Sequence, residues 1–483
     1  TIPESVEKIG EYAFSYCTEL LSIFIPNKIT VIEPYTFNNC KKLGNFDSTD
    51  SIVSYGEGSF YNCFYLKNFT FSQKATEIKP YAFYKCNKLK MITIPESVET
   101  IGSYAFYYCY QMYGRLKIPN NVKTIGEYAF FDCQHICTLD IGEGCTSIGD
   151  YAFSECNGLI SYTMNGSIQK ISSYLFTRDH SLVNITIPNS VVTIGRNAYH
   201  LCSSIIEINI PESVQIIEYS AFYSCSSVKN LTLPTKCKTI DSSAFCWLDI
   251  TSVRIPEGLT YISSNLFQNC NQQVNVTIPN NTIAAIYQHA FENCKKIEII
   301  YIPESVQVIY SYCFCNCRSL ISIQLSNNIT IIDDGCFKQC LALQSFVIPE
   351  KVTEIRSQVF YSCSDLSNIT LPSKLLKIYS KSFGSCYDLK YIDIPDTVIF
   401  IDQYVFQSSG LEKFTMPPKI TKISNHLFYY CQSLADISLG NVNTIGEYAF
   451  YRCSSFKNIT FPKYFTSIEN CALGCCWHLE NIT

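Results

Sequence analysis

Three cysteines at alternate positions, Cys313, Cys315 and Cys317 in "CFCNC", form a dense set of metal-ligating side chains. A zinc site needs about four thiolates or imidazoles at tetrahedral spacing. No histidine or second cysteine pair stands at ligand spacing nearby, so metal binding is not expected here. The six histidines, 135, 180, 200, 289, 426 and 478, are dispersed along the chain, and "RDH" at 178–180 is the most tempting polar cluster. The sequence has no G-x-S-x-G, Walker loop, H-E-x-x-H or G-x-G-x-x-G, the local patterns that place a nucleophile, a phosphate cradle or a metal. We therefore expect no catalytic residues, no cofactor and no metal.

What positions these residues is a repeat. "IGEYAF" occurs at 9–14, 125–130 and 445–450, with "IGSYAF" at 101–106 and "IGDYAF" at 148–153. Taking the phenylalanine as a marker, 21 markers follow one another at steps of 22–24 residues across all 483, Tyr199 and Leu473 standing in two of them. Unbroken self-similarity at this period signals a stacked solenoid, read here as one domain over 1–483. The sequence opens on "TIP" and stops on "NIT", both in mid-repeat, so it reads as an excerpt from a longer chain with its capping repeats outside.

One unit shows why stacking is needed. In "TIPESVEKIGEYAFSYCTELLSIFIP" (1–26), Ala13, Phe14, Cys17 and Leu20 recur at helical spacing, which predicts a short helix over "YAFSYCTEL". Gly10 is expected to start it with a positive φ and Glu11 to suit its N-terminus. The period then drops to two: Ile23 and Ile25 point inward, Ser22 and Phe24 outward, as in a strand. Pro26 ends that strand, having no N–H for the ladder. Neither piece closes a core alone, so the expected architecture is an α/β solenoid. Its parallel sheet lines the concave side and its short helices or turns the convex side.

The pattern I-P-x-x-V-x-x-I-G-x-x-A-F-x-x-C-x-x-L-x-x-I-x-I, nearly unbroken at 94–118 and 187–210, resembles the BspA-like, or treponemal-type, class of leucine-rich repeat. The resemblance implies a leucine-rich-repeat solenoid on a cell surface, or secreted, that adheres to host cells or matrix protein. It names no binding residues, because the pattern consists of framework positions.

Eighteen of the 27 cysteines stand three residues after the marker. Stacked equivalents have parallel Cα–Cβ vectors, which keeps neighbouring Cβ atoms beyond the roughly 3.5–4.5 Å a disulfide needs. Reduced, buried thiols are expected, with Asp179, Leu248 and Ser409 interrupting the ladder. Cys471 and Cys475 are less constrained, and a lone disulfide there stays open.

The outward strand positions form the default binding face. They are mostly Ser, Asn and Thr, with Phe24, Arg115, Lys117, Asp140, Glu207, Arg254, Tyr301, Tyr391, Asp393 and Lys413 as exceptions. Such a broad polar surface suits a protein or glycan partner. Tyrosines on the opposite side are a second surface, read as packing between units. Ten N-x-S/T sequons occur, mostly as the strand phrase "N-I-T", for which β propensity and glycan attachment are competing explanations. A net charge of −5 with no Lys/Arg run argues against nucleic acid, and no apolar stretch approaches a membrane-spanning length. The reading is a non-enzymatic surface adhesin, with a cytoplasmic interaction scaffold as the alternative.

Overall fold

A computed structural model describes residues 2–272 and 275–483. The chain divides into two units, Thr1–Asp249 and Ile250–Thr483. Each is a parallel β-solenoid, and most turns contribute two strands where sequence reasoning found one. The longer strand follows the expected alternation: in Ser22–Ile25 the isoleucines are buried and Ser22 and Phe24 exposed. It pairs in parallel and in register with Asn45–Ser48, Ser22 opposite Asn45 and Ile25 opposite Ser48. The second strand has only two residues, too few for a period to register. In the first unit six of these, from Val31–Ile32 to Ser147–Ile148, stack into one sheet, and in the second unit four do so, from Tyr261–Ile262 to Ile331–Ile332.

The expected helix is not formed; the segment around each marker is a tight turn. The residues two before and two after every marker have φ between about 50° and 64°, among them Tyr12, Tyr16, Tyr35 and Asn39. Two left-handed residues four apart break any right-handed helix, at about 1–2 kcal/mol each. The compensation runs between turns. Amides of Tyr12, Phe14 and Tyr16 donate to the carbonyls of Pro34, Thr36 and Asn38 in the next turn, at 3.2, 2.9 and 2.7 Å. The amides of Ser15 and Cys17 donate within the turn, to Tyr12 and Phe14 at 2.9 and 3.1 Å. The i, i+3 spacing that imitated a helix is thus the spacing of inward side chains on this turn. The glycine expectation also changes. Gly10 does not take a positive φ, and at Gly102 and Gly126 a Cβ would lie 2.3 Å from backbone nitrogens of the preceding turn. Glycine there permits close stacking.

The markers form the centre of the core. Successive rings stack nearly parallel, Phe60 on Phe83 at 5.2 Å and Phe83 on Phe106 at 5.2 Å in the first unit, Phe291 on Phe314 at 5.4 Å in the second. All of these rings are buried. Beside them, sixteen ladder thiols donate to the carbonyl of the preceding turn's marker, at 2.9–3.3 Å. Cysteine is therefore a directed donor here as well as a small apolar filler. Among the described residues no two cysteines are joined by a disulfide. Burial pushes the thiols up, Cys40 to about 11 and Cys386 to about 12, which holds them in the unreactive protonated form.

Asp179 occupies a ladder slot, flanked by Cys156 and Cys202, with Glu155 nearby. It is fully buried and neither carboxyl oxygen has a hydrogen-bond partner in the protein. Burial pushes its carboxyl well above the usual range, so it is held protonated. Ser409, a second exception, places its hydroxyl 3.4 Å from the Cys431 sulfur.

Two outcomes follow. Thiol titration of the folded chain will detect no more than about five of the 27, namely exposed Cys17, Cys137 and Cys471 and half-buried Cys475 and Cys476, and all of them in denaturant. Reaction of most thiols without denaturant would contradict the buried ladder. Because folded Asp179 keeps a proton that the unfolded chain releases above about pH 4, it makes stability fall as pH rises, by up to about 1.4 kcal/mol per unit. Denaturant unfolding of Asp179→Cys should therefore show a gain over the parent that is larger at pH 8 than at pH 5. A gain independent of pH would show that Asp179 is not buried as a neutral acid.

Candidate binding surface

The outward positions of the longer strands form a surface that the repeat presents in register without using it for packing, since their inward neighbours fill the core. Seven sequon asparagines, 68, 184, 230, 275, 368, 458 and 481, share its first outward position, with Thr two residues on. These carboxamides can pair along the sheet, as Asn481 donates to Asn458 at 2.8 Å.

Phe24 is 40% exposed on Ser22–Ile25, with Asp47 beside it in register. Arg115 and Lys117 lie on Tyr113–Ile118 and Asp140 on His135–Ile141. These three are engaged within the chain: Arg115 pairs with Asp140, and Lys117 with Glu96 at 3.0 Å. Glu207 is exposed on Glu207–Asn209. In the second unit Arg254 pairs with Glu257 at 3.1 Å. Tyr301 stands 44% exposed on Ile299–Tyr301. Exposed ion pairs of this kind are worth about 0–1 kcal/mol, so a partner displaces them cheaply.

Tyr391, Asp393 and Lys413 are brought together. They line one shallow hollow of about 280 Å³ with Asp396 and Thr415, over a floor of Phe414 and Met416. Similar steps between turns hold a hollow of about 380 Å³ beside Arg254 and one of about 260 Å³ between Ser322 and Pro349. Sequence reasoning missed Asp396 and Thr415. It also missed the exposed apolar Ile299 and Val347 of the same face. Their outward strand slots were the available signal. Among the described residues no three His, Cys, Asp or Glu side chains converge to hold a metal ion.

The tyrosines behave as packing. Tyr81, Tyr104, Tyr128, Tyr151 and Tyr174 stack in succession at 4.9, 4.9, 4.5 and 4.3 Å, and Tyr61, Tyr84 and Tyr107 form a second stack at 4.5 and 4.9 Å. Each ring is held by its equivalents one turn away, worth about 0.5–1.5 kcal/mol per pair. Burial pushes the hydroxyl of Tyr107 up, and that of Tyr35 to about 12.

Comparison with known proteins agrees with this geometry. The model of the BspA type leucine rich repeat region matches residues 1–113, 113–229, 192–321, 307–435 and 427–483. The chain resembles the crystal structure of a leucine-rich repeat protein from Bacteroides ovatus, with 24% identity over 79% of this chain and 87% of that one and a TM-score of 0.57. It also matches a leucine rich cell surface protein from Faecalibacterium prausnitzii, at 23% identity, 76% and 86% coverage and a TM-score of 0.37. No curated protein matches the chain. No helix among the described residues is long and apolar enough to cross a membrane. With the family's repeat matched along its length and its framework residues stacked turn on turn, the chain belongs to the BspA-type leucine-rich-repeat family.

Proposed function

We propose that this chain is a non-enzymatic binding protein whose longer-strand face docks a host-cell surface or extracellular-matrix protein. The observation that carries the reading is the division of labour within each turn. Marker, thiol and tyrosine positions are consumed by stacking, whereas two side chains per longer strand are left outward and vary from turn to turn. A variable surface on an invariant frame is the arrangement for recognising another macromolecule. Exposed aromatic and arginine side chains on it supply the contacts that dominate interfaces.

The free-thiol content favours a second reading, an interaction scaffold in a reducing cytoplasm, since an oxidising compartment usually selects against so many unpaired cysteines. Burial of the ladder answers much of that objection. Staining of intact against permeabilised source cells separates the two: signal on intact cells supports the surface reading, and signal only after permeabilisation excludes it.

The face itself is tested by binding to immobilised matrix proteins and to host cells. Alanine at Phe24, Tyr301 and Tyr391 together should weaken binding about tenfold or more, and Tyr16→Ala on the turn side should leave it unchanged. Equal binding by the triple variant would remove the longer-strand face from the account.

A further inference from the structure

The hollow beside Tyr391 differs from the other two in its chemistry. The step from Phe406 to Phe428 is one residue short, and the shortening falls between Ser409 and the strand Lys413–Thr415. Gly410 lies so close to the preceding turn that a Cβ would lie 1.8 Å from the Tyr387 carbonyl oxygen. Residues 391–394 join the ladder of neither neighbouring strand, Asn368–Thr370 or Lys413–Thr415. The hollow of about 280 Å³ opens at that step.

Its lining combines three kinds of group. The Tyr391 ring is 59% exposed, and its hydroxyl is fixed on Glu412 at 3.2 Å. Asp393, Asp396 and Lys413 have no ion-pair partner among the described residues, unlike Arg254 in its hollow. Thr415 adds an exposed hydroxyl. A cationic guest would meet Lys413, and an anionic guest would meet two carboxylates. A neutral guest with hydroxyls on its rim and a C–H face avoids both conflicts. It can donate to the carboxylates, accept from the ammonium and lay its apolar face on the ring.

We propose that this hollow is a saccharide subsite that takes one neutral pyranose ring, stacked on Tyr391 and hydrogen-bonded by Asp393, Asp396 and Lys413. The volume lies just below the roughly 300–1,000 Å³ of drug-sized ligand sites, which fits a single residue of a glycan held weakly. The subsite does not depend on the protein-docking reading, because free sugars can be used without any protein partner.

The test is saturation-transfer NMR on the full chain with methyl glycosides of glucose, galactose and mannose and with N-acetylglucosamine. Glucuronate and arginine methyl ester serve as charged comparators. At least one neutral sugar should bind with millimolar affinity, its ring protons receiving the strongest transfer. Tyr391→Ala should weaken it at least about tenfold, Tyr391→Phe should hold it within about threefold, and Asp393→Asn should weaken it. These side chains are exposed, and an unchanged count of protected thiols confirms that each variant is folded. No neutral sugar binding, equal binding by Tyr391→Ala, or preference for either charged comparator would overturn the assignment.

Discussion

Turn after turn, this protein presents a backbone segment whose hydrogen bonds are completed by the next turn. The amides at the marker and two residues to either side point along the stacking direction, as Phe60 does to the Ala82 carbonyl at 2.8 Å. The two left-handed residues that aim them cost about 2–4 kcal/mol per turn. A buried marker ring contributes about 1.5–3 kcal/mol and its stacking about 0.5–1.5 more. Three inter-turn amide bonds add about 0.5–1.5 each. A single turn has the cost without the return, so the fold exists as an array.

This constraint explains what the sequence disclosed and what it concealed. The period, the longer strand and the inward positions were legible because the same slot is filled from turn to turn with Ile, Phe, Cys and Leu. The turn was not, because Phe14 and Cys17 share a face at a spacing of three in either a helix or this turn. Tyrosine in a left-handed slot, as at Tyr12 and Tyr104, gives no local signal; its preference comes from the ring stacked one turn away. The two-residue strand was hidden for want of length. The thiol's role was half visible: burial followed from position, whereas the bond from Cys63 to the Phe37 carbonyl at 3.1 Å depends on the stacking geometry.

The candidate site follows the same division. Phe24, Tyr301, Tyr391 and Lys413 could be picked out because outward strand slots are otherwise Ser, Asn and Thr. Which of them meet could not be read, since that depends on the one-residue shortening near Gly410 and on how neighbouring strands part beside it. Departures from the repeat thus have two consequences. Asp179 marks a turn where a donor slot holds a carboxyl under strain of burial, and Gly410 marks a step where the frame opens to solvent.

Native-state hydrogen exchange tests the central claim most directly. The amides of Phe60, Phe83 and Phe106, which lie in turns yet donate to the next turn, should exchange as slowly as the buried strand amides of Ile78 and Ile101. Exchange at the rate of exposed loop amides would mean that inter-turn bonds do not hold the array, and the account would fail.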